Sequence, residues 1–576
     1  MTTPRAGVRR AVLLTAALAA SALVLPATTA GAATTAGATT KAGARHATAA
    51  EQRASHVHSP WAGPREDEDP DGDALSAYAL CRDLADNVTS FSYDRPRAGE
   101  VDAIVDDRLN PSGQSNKGCT TPQNETTIAV NPRDPRNVVA GANDYRVCCD
   151  FQNLNDGTGW AYYSFDGGHT WGNVQLPGLT AQTGGAGFFS TVDSAGDPVL
   201  AFGRDGRLYY ANIVFSRVDD SSGVAVSRSD DGGRTWSLPT LLVGDKDPSV
   251  FHDKEWIGTG PRGEITVTWT RFTYDADGNY LGSPIVGKTS TDRAATFGPQ
   301  FAVSDKDHPY NQGSQVDYDS AGRLYVAYEG SSAKDDYATD ALVLAQRPRA
   351  TAAFNTKELA RVYDDLDCYP VYAGRQTLTN EHFRINSYPA MDVDAVTGLV
   401  AIAWADDEGA GTCGTGKDTF TGTTSNQVKL VVGAGQHFTP PVRVTRGAAD
   451  KVFPGVAVVA GKVTVSYYTR GYRNANPACY LKTPDAPTAG NAVEKTDTSV
   501  CLDYAARTSV DGFLLERRLT SEGSNPYIQF ADGSFIGDYT QAAAGPDGSV
   551  YAAWTDFRGR PGVTPPNQDV YVSRIR

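Results

Sequence analysis

The chain has 576 residues, a formal net charge of −15 and 40% hydrophobic side chains. This charge excludes a protein that binds nucleic acid or an anionic membrane through a broad basic surface, because such binding needs clustered lysine and arginine. It leaves open the recognition of one anionic group by a local set of arginines. The sequence contains neither Gly-x-Ser-x-Gly nor His-Glu-x-x-His, so it gives no support to a serine hydrolase or a zinc enzyme.

The N-terminal region has the features of a secretory signal peptide over residues 1–32. Three arginines precede an apolar run from Ala11 to about Ala27, which is too short for a stable membrane span, and small residues follow. The pair Arg9-Arg10 leaves twin-arginine export as an alternative route. Residues 33–79 are rich in Ala, Thr and Gly and then acidic, which predicts a disordered leader. We therefore expect a secreted, extracellular protein whose folded domain spans residues 80–576.

Eight cysteines in an exported chain, without a Cys-x-x-Cys spacing, predict disulfides rather than metal ligands. Proximity in sequence makes Cys368–Cys413 and Cys479–Cys501 the first expected pairs. The connectivity of the other four stays open; they are Cys81, Cys119, Cys148 and Cys149.

An eight-residue unit recurs three times, at residues 164–171, 229–236 and 290–297. In its first two copies, Ser-x-Asp-x-Gly-x-Thr-Trp, the Ser and Asp side chains are expected to accept backbone N–H bonds inside a tight turn, and Gly supplies an unusual backbone angle. The Trp is expected to pack beneath the turn. The structural residues are Ser164, Asp166, Gly168, Trp171, Ser229, Asp231, Gly233, Trp236 and, in the degenerate third copy, Asp292.

The spacing of these units and the rest of the chain predict an all-β protein. Offsets of 65 and 61 residues suit one four-stranded propeller blade per unit. A strand, an Asp/Gly turn and a second strand ending in an aromatic and charged residues recur seven times, with the period-2 alternation of strands. We therefore expect a six- or seven-bladed β-propeller, in which an early strand near residues 88–93 pairs with the last strand, 570–573, and closes the ring.

The repeated unit resembles the Asp-box, or bacterial neuraminidase (BNR) repeat, of the sialidase superfamily. The resemblance implies a sialidase-like propeller of six blades with these turns at the outer edge, away from the catalytic face. It also implies a site with three arginines on a substrate carboxylate, a tyrosine nucleophile, a glutamate that activates it and an aspartate acid/base. The family's Arg-Ile-Pro arginine has its nearest match in Phe383-Arg384-Ile385-Asn386.

Charged and aromatic residues at equivalent blade positions are the candidate site residues. Those at the starts of the first strands are Asp253, Glu255, Arg384, Tyr388, Asp538 and Tyr539, and those that follow the second strands include Asp144, Arg146, Arg204, Glu329, Arg470 and Arg558. By the resemblance, Asp144 is the acid/base, and Arg384, Arg470 and Arg558 form the carboxylate clamp, with Arg146 as a further substrate-binding residue. Tyr539 or Tyr468 is the nucleophile and Glu329 its base. The alternative is that these residues form local ion pairs at the blade corners.

The resemblance therefore implies an exo-α-sialidase, a glycoside hydrolase whose partner is an extracellular glycan or glycoconjugate. Two alternatives are a non-catalytic propeller that binds carbohydrate or protein, and a hydrolase or lyase for another uronate-bearing glycan. We expect a monomer that requires no cofactor and has no metal site. Structural calcium at the hairpin tip Asp275–Asn279 is the alternative to a metal-free turn.

Overall fold

The computed structural model describes eleven segments of the chain. They are residues 100–102, 122–145, 157–331, 340–363, 369–372, 374–408, 420–482, 494–495, 499–528, 534–558 and 568–575. The expected signal peptide and leader, residues 1–79, lie outside them. The described helices are single 3-10 turns at Ala181–Thr183, Gly187–Ser190, Pro477–Tyr480, Ser509–Asp511 and Pro526–Ile528. In these segments, no helix has the length and apolar character needed to cross a membrane.

The first four blades are antiparallel sheets of four or five strands, formed in chain order. Blade 1 contains β2 (Gln123–Val130), β3 (Val138–Asp144), β4 (Thr158–Ser164) and β5 (Gly172–Gln175). Blade 2 contains β6 (Ser194–Phe202), β7 (Leu208–Phe215), β8 (Ser222–Ser229) and β9 (Thr240–Asp245). Blade 3 contains β10 (Val250–Thr259), β11 (Ile265–Tyr274), β12 (Tyr280–Gly282), β13 (Ile285–Ser290) and β14 (Phe301–Ala302). Blade 4 contains β15 (Asn311–Tyr318), β16 (Leu324–Ser331), β17 (Asp340–Arg347) and β18 (Asn355–Val362).

The remaining three blades are separated by longer connections. A two-stranded ribbon, β19 (Val371–Tyr372) with β20 (Arg375–Gln376), precedes blade 5, which contains β21 (Ala390–Val393), β22 (Val400–Asp407), β23 (Asn426–Ala434), β24 (His437–Phe438) and β25 (Val442–Arg443). Blade 6 contains β26 (Lys451–Val459), β27 (Lys462–Thr469), β30 (Asp503–Thr508) and β31 (Arg517–Arg518), and the ribbon β28 (Leu481–Lys482) with β29 (Glu494–Lys495) lies within it in sequence. Blade 7 contains β32 (Gln541–Ala544), β33 (Val550–Asp556), β34 (Asp569–Ile575) and the N-terminal strand β1 (Glu100–Asp102).

These sheets form a closed seven-bladed β-propeller, which confirms the predicted fold class and selects seven blades. The first strand of each blade contacts the first strand of the next, and β32 of blade 7 contacts both β26 and β2. The apolar core lies between neighbouring blades; for example, Leu430 of blade 5 packs in one buried cluster with Val456 and Val465 of blade 6.

Strand β1 closes the ring by pairing with the last strand. Glu100 lies opposite Ser573, and Asp102 lies opposite Tyr571 in an antiparallel register. An early strand therefore completes the final blade as expected, although it lies at residues 100–102. Residues 88–93, where we expected it, lie outside the described segments.

The repeated eight-residue units are the turns between β4 and β5 in blade 1, β8 and β9 in blade 2, and β13 and β14 in blade 3. In the second copy, Asp231 Oδ1 accepts the backbone N–H groups of Arg234 and Thr235 at 3.1 and 2.9 Å. The N–H of Gly233, whose φ of +99° suits glycine, donates to Ser229 Oγ at 2.9 Å. The first copy has the same bonds, with Asp166 and Ser164 as acceptors. In the third copy, Asp292 and Ser290 accept the N–H groups of Thr296 and Ala294.

One predicted disulfide lies within the described residues. Cys479 and Cys501 are bonded, with their Cα atoms 4.9 Å apart, which confirms that pair. The other six cysteines lie outside the described segments.

Candidate active site

The inner strands of five blades carry a β-bulge at the same place. The register breaks lie between Asn124 and Thr127, Gly196 and Val199, Asp253 and Trp256, Gln312 and Gln315, and Val452 and Gly455. The first bulged residues have a positive φ; they are Glu125 (54°), Asp197 (53°), Lys254 (48°), Gly313 (66°) and Phe453 (50°). For a non-glycine residue, this conformation costs on the order of 1 kcal/mol. Repeated bulges of this kind redirect side chains, and strained residues concentrate at functional sites.

Tyr388 and Tyr539 occupy the same position in blades 5 and 7. Each lies two residues before the start of its inner strand, as Glu125 lies two residues before Thr127. Tyr388 packs on the bulge of blade 4, where a Cβ at Gly313 would lie 2.4 Å from the Tyr388 ring. One residue from each blade therefore forms a ring about the propeller axis.

Lys254 connects four blades at this ring. Its Nζ lies 2.9 Å from Glu125 Oε1 of blade 1, 2.9 Å from Asp197 Oδ2 of blade 2 and 2.8 Å from Asp538 Oδ2 at the start of blade 7. Burial would lower the pKa of Lys254, but the charges of Asp197, Asp538 and Glu125 outweigh it and hold that pKa well above its ordinary value. The lysine is therefore a buried cation.

Asp538 is held as an anion. Arg384 donates to it from both Nε and Nη2 at 2.8 Å, which is the two-bond geometry that guanidinium and carboxylate groups favour. Although burial opposes its ionisation, the charges of Arg384 and Lys254 lower the pKa of Asp538. Its own backbone N–H donates to Glu125 Oε1 at 3.1 Å.

Two further buried carboxyl groups, in and beside the ring, have pKa values raised toward neutrality. Burial and the charge of Asp197 raise the pKa of Glu125 to about 8, and Asn143 Nδ2 donates to its Oε2 at 3.0 Å. Burial raises the pKa of Asp253 to about 6, and Gln312 Nε2 donates to its Oδ2 at 2.8 Å.

Glu255 differs from these groups because it is buried without compensation. The residue is 2% exposed, and neither carboxylate oxygen has a hydrogen-bond partner in another described residue. Burial, together with the charge of Asp197, raises the pKa of Glu255 well above its ordinary value. Burial therefore favours the protonated form of Glu255. A buried polar group without a partner is rare in native proteins and calls for an explanation.

We use the name axial cluster for Glu125, Asp197, Asp253, Lys254, Glu255, Arg384, Tyr388, Asp538 and Tyr539. Part of it lines a narrow pocket. The described polar lining includes Lys254, Glu255, Asn386, Tyr388, Asp538 and Tyr539, and the apolar lining includes Trp256 and Phe453. Apolar walls with a few convergent polar groups are typical of small-molecule sites.

All six candidates at the starts of the first strands belong to the axial cluster, and two of them, Arg384 and Tyr539, are residues to which the resemblance gave a role. The Tyr539 hydroxyl donates to the carbonyl of Pro198 at 3.0 Å, and its ring centroid lies 5.8 Å from that of Trp256. Burial and the charge of Glu125 raise the pKa of Tyr539 well above its ordinary value.

The structure does not gather the expected arginine clamp. Arg470 is buried and pairs with Asp450 and with Glu381, whose Oε1 lies 3.2 Å from Nη1. Arg558 pairs with Asp556 of its own blade at 2.7 and 2.9 Å. Each of these two guanidiniums thus pairs with a carboxylate other than Asp538. This is the local ion pairing that the alternative interpretation describes. Arg146 lies outside the described residues.

The expected acid/base and the second candidate nucleophile lie outside the axial pocket lining. Asp144 is fully buried and accepts the Tyr162 hydroxyl at 2.7 Å. The Tyr468 hydroxyl is fixed by Thr555, because it donates to the Thr555 carbonyl at 2.8 Å and accepts the Thr555 N–H at 2.9 Å.

Glu329 lies beside the axial cluster without lining its pocket. It is opposite Gln312 in the register of β15 and β16, and its charge helps to raise the pKa of Tyr388, after burial and Asp538. Among the residues placed after a second strand, Arg204 lies in the turn between β6 and β7, at the other end of its blade. In blade 2, each of the first two strands ends in an aromatic residue that is followed two positions later by a charged residue. The sequence pattern therefore identified the wrong strand end there.

Sequence reasoning missed Glu125, Asp197 and Lys254. The available indication was a charged residue two positions before the regular part of an inner strand, and it becomes visible only when the bulge register is known. The hairpin tip at Asp275 is a turn in which Asp275 Oδ1 accepts the N–H groups of Asp277 and Asn279, each at 2.9 Å. The described residues hold no group of three or more His, Cys, Asp or Glu side chains placed to bind a metal ion.

No protein-family model and no curated protein matches the sequence. Solved structures do match. They include a Penicillium chrysogenum α-L-arabinanase complexed with arabinobiose, at 12% identity and a TM-score of 0.40 over 65% of this chain and 93% of that one. A Dyadobacter fermentans protein of unknown function matches at 15% identity and a TM-score of 0.39, over 66% and 94% of the two chains. A Trypanosoma rangeli sialidase in complex with the inhibitor DANA matches at 12% and 0.36, over 66% and 57%. Glycoside hydrolases are thus among the proteins that this chain is similar to in structure, and at these identities and TM-scores the likeness assigns it no activity.

Proposed function

We propose that the chain is a glycoside hydrolase that cleaves a neutral glycan in the axial pocket. The observation that carries this proposal is a pair of carboxyl groups in one pocket lining whose surroundings shift their pKa values in opposite directions. Glu255 is buried without a hydrogen-bond partner in another described residue, which favours its protonated form, whereas Arg384 and Lys254 favour the ionised form of Asp538. Glycosidases use such a pair, because one group must give a proton and the other must stabilise positive charge.

The reaction follows from the two protonation states. The Glu255 carboxyl donates its proton to the glycosidic oxygen as the bond from that oxygen to the sugar carbon breaks. The Asp538 carboxylate stabilises the positive charge that develops on the sugar ring. Water then adds its hydroxyl to the sugar carbon and returns its remaining proton to Glu255, so the enzyme is restored.

A neutral sugar suits the charges of the axial cluster better than an anionic one. The cluster contains five carboxyl groups and two cations, and both cations contact Asp538. A substrate carboxylate would have to compete with Asp538 for Arg384. A neutral ring can use Asn386, Tyr388 and Tyr539 as hydrogen-bonding groups without that competition.

The second candidate is the exo-α-sialidase that the sequence resemblance implies. It is favoured by the position of Arg384 and Tyr539 at the same pocket, where a cation and a tyrosine nucleophile are needed. In that reaction, Tyr539 would pass its proton to a nearby carboxylate and bond to the sugar carbon as the glycosidic bond breaks, and the departing oxygen would take the proton of Glu255. Water would then add its hydroxyl to the sugar carbon and its proton to Glu255, while Tyr539 leaves and regains its proton from the carboxylate.

The experiment compares hydrolysis of 4-nitrophenyl glycosides of neutral pentoses and hexoses with hydrolysis of a 4-methylumbelliferyl α-sialoside. Glu255→Gln is the test variant, and Glu264→Gln is its matched control, because Glu264 lies in the same blade at the turn before β11 and pairs with Arg262. We expect turnover of a neutral glycoside that Glu255→Gln lowers and Glu264→Gln retains. Turnover of the sialoside alone, lost in Tyr539→Phe, would select the second candidate. No turnover by the folded protein would contradict both and favour a carbohydrate-binding propeller.

A further inference from the structure

Blade 4 has an altered version of the outer turn found in blades 1 to 3. Ser290 of blade 3 lies opposite Ile265, the first residue of β11, and Arg347 lies opposite Leu324, the first residue of β16. Arg347 therefore occupies the position of the turn serine. Seven residues later, Phe354 stands where the other copies have Trp or Phe, and Arg349 stands where they have aspartate.

This exchange places a cation in the core of the turn. Arg347 is 6% exposed, and its guanidinium carbon lies 4.1 Å from the ring centroid of Phe301 and 4.8 Å from that of Phe354. Two aromatic faces thus hold the guanidinium, an arrangement that favours a cation.

The guanidinium has few partners among the described residues. Its Nη1 donates to the Ala350 carbonyl at 3.2 Å, and its Nε is buried without an acceptor in them. In the described part of the chain, no carboxylate forms an ion pair with it. Burial lowers the pKa of Arg347, as expected for a cation without a counter-charge. A buried charge of this kind costs free energy that an anionic partner would offset.

A recess of about 480 Å³ opens beside Arg347 on the flank of blades 3 and 4. Its polar lining includes Ser304, Asp305, Thr351 and Thr356. The one acidic group among these, Asp305, is engaged by His308, whose Nδ1 lies 2.8 Å from Asp305 Oδ1, and by the Thr356 side chain. The hydroxyl groups of Ser304 and Thr351 and the arginine are together suited to an oxyanion.

We propose that this recess binds a carboxylate or sulfate group through Arg347, either as a free ion or as part of a sugar. The site lies in the outer-turn region and is separate from the axial pocket. It gives the propeller a second ligand position, at which an acidic group on a glycan is held while the axial pocket acts on neutral sugar.

The test is isothermal titration of the full chain with acetate, sulfate and glucuronate at constant ionic strength, with glucose as the neutral probe. Arg347→Gln is compared with Arg349→Gln, a matched change at the exposed arginine of the same turn, which does not line the recess. We expect saturable binding of at least one anion, weakened about tenfold or more by Arg347→Gln, as for a hydrogen bond to a charged group. Arg349→Gln and Glu255→Gln should bind the anion as the unaltered protein does.

The comparison of glucuronate with acetate and sulfate also distinguishes the two sources of the anion. Tighter binding of glucuronate than of acetate and sulfate indicates a sugar-borne group, and equal binding indicates a free ion. Should Arg347→Gln fail to fold, Arg347→Lys keeps the charge, loses the planar two-donor edge and is expected to weaken binding. Absence of saturable binding of all three anions, or binding unchanged in a folded Arg347 variant, would overturn the proposal.

Discussion

The outer turns of blades 1 to 3 and the inner-strand bulges both recur from blade to blade, but only the outer turns recur in sequence. Each outer turn satisfies its own hydrogen bonds, as Asp231 does with the N–H groups that follow it. It therefore needs the same residues in every copy. Each bulge instead contributes one side chain to a shared centre, and the residue types differ; Glu125, Asp197 and Lys254 are examples. A turn that satisfies its own hydrogen bonds repeats its residue types from blade to blade. A site assembled from several blades repeats only its backbone conformation.

The largest expected effect on stability comes from Lys254. Lys254→Met removes the cation that compensates Glu125, Asp197 and Asp538, so three buried carboxyl groups lose their common partner. We expect a loss of about 3–5 kcal/mol in the free energy of unfolding, measured by urea denaturation. The control is Lys462→Met, at an exposed lysine. Equal stabilities of the two variants would show that the bulges do not depend on one another.

Trp236 tests the packing of an outer turn. Its ring meets that of Tyr210 edge to face, with centroids 5.5 Å apart, and its Nε1 donates to the Gly233 carbonyl at 3.1 Å. Since Trp236 is partly buried, Trp236→Ala should cost about 2–3 kcal/mol by thermal or urea unfolding, somewhat less than a fully buried tryptophan. Hydrolysis at the axial pocket should be unchanged under conditions where the variant is folded. A loss of turnover in the folded variant would contradict the separation of the two regions.

Glu125 makes the stability of the shared centre depend on pH near neutrality, which the outer turns do not. Its pKa is about 8 in the folded protein against an ordinary value of 4.5. Below pH 4.5, Glu125 is protonated in both the folded and the unfolded state. Between pH 4.5 and about 8, the unfolded chain releases this proton and the folded protein keeps it. The free energy of unfolding therefore falls as pH rises, by up to about 1.4 kcal/mol per pH unit. We expect Glu125→Gln to remove this contribution between pH 5 and 8 in urea titrations at several pH values, whereas Asp166→Asn should leave it. Parallel profiles for Glu125→Gln and the unaltered protein would be inconsistent with a proton on Glu125.

The smallest expected effects separate two outer turns. Asp231 accepts the N–H groups of two residues, whereas Asp292 accepts that of Thr296 alone, and each also accepts a threonine hydroxyl at 2.6 Å. We expect Asp231→Ala to cost about 1–2 kcal/mol and Asp292→Ala to cost less. Thermal unfolding in parallel checks the order, and the reverse order would mean that the turns are not stabilised by these bonds.

The fold and part of the candidate site could be predicted from the sequence, because both depend on patterns among residues that are close together in the chain. The turn at Ser229–Trp236 and the alternation in strands such as Leu324–Tyr328 depend on neighbouring residues, so they predicted a propeller and a strand that closes it. The starts of the inner strands also drew attention to Glu255, Arg384 and Asp538. Their partners were not predictable, because Lys254 and Glu125 are 129 residues apart and meet only when the ring closes. Arg470 and Arg558 resembled site residues by position, and only their contacts with Asp450 and Asp556 show local pairing.

We infer above that Glu255 is the proton donor of the axial pocket. This is tested most directly by measuring how the loss of activity in Glu255→Gln depends on the leaving group of the substrate. The test uses the neutral sugar identified with the glycoside panel, as its 4-nitrophenyl and its methyl glycoside, and compares kcat/KM of Glu255→Gln with that of the unaltered protein. We expect a loss of about 100- to 10,000-fold for the methyl glycoside, whose oxygen must be protonated, and a much smaller loss for the 4-nitrophenyl glycoside. Equal losses for both glycosides, or no loss for either, would contradict this role of Glu255.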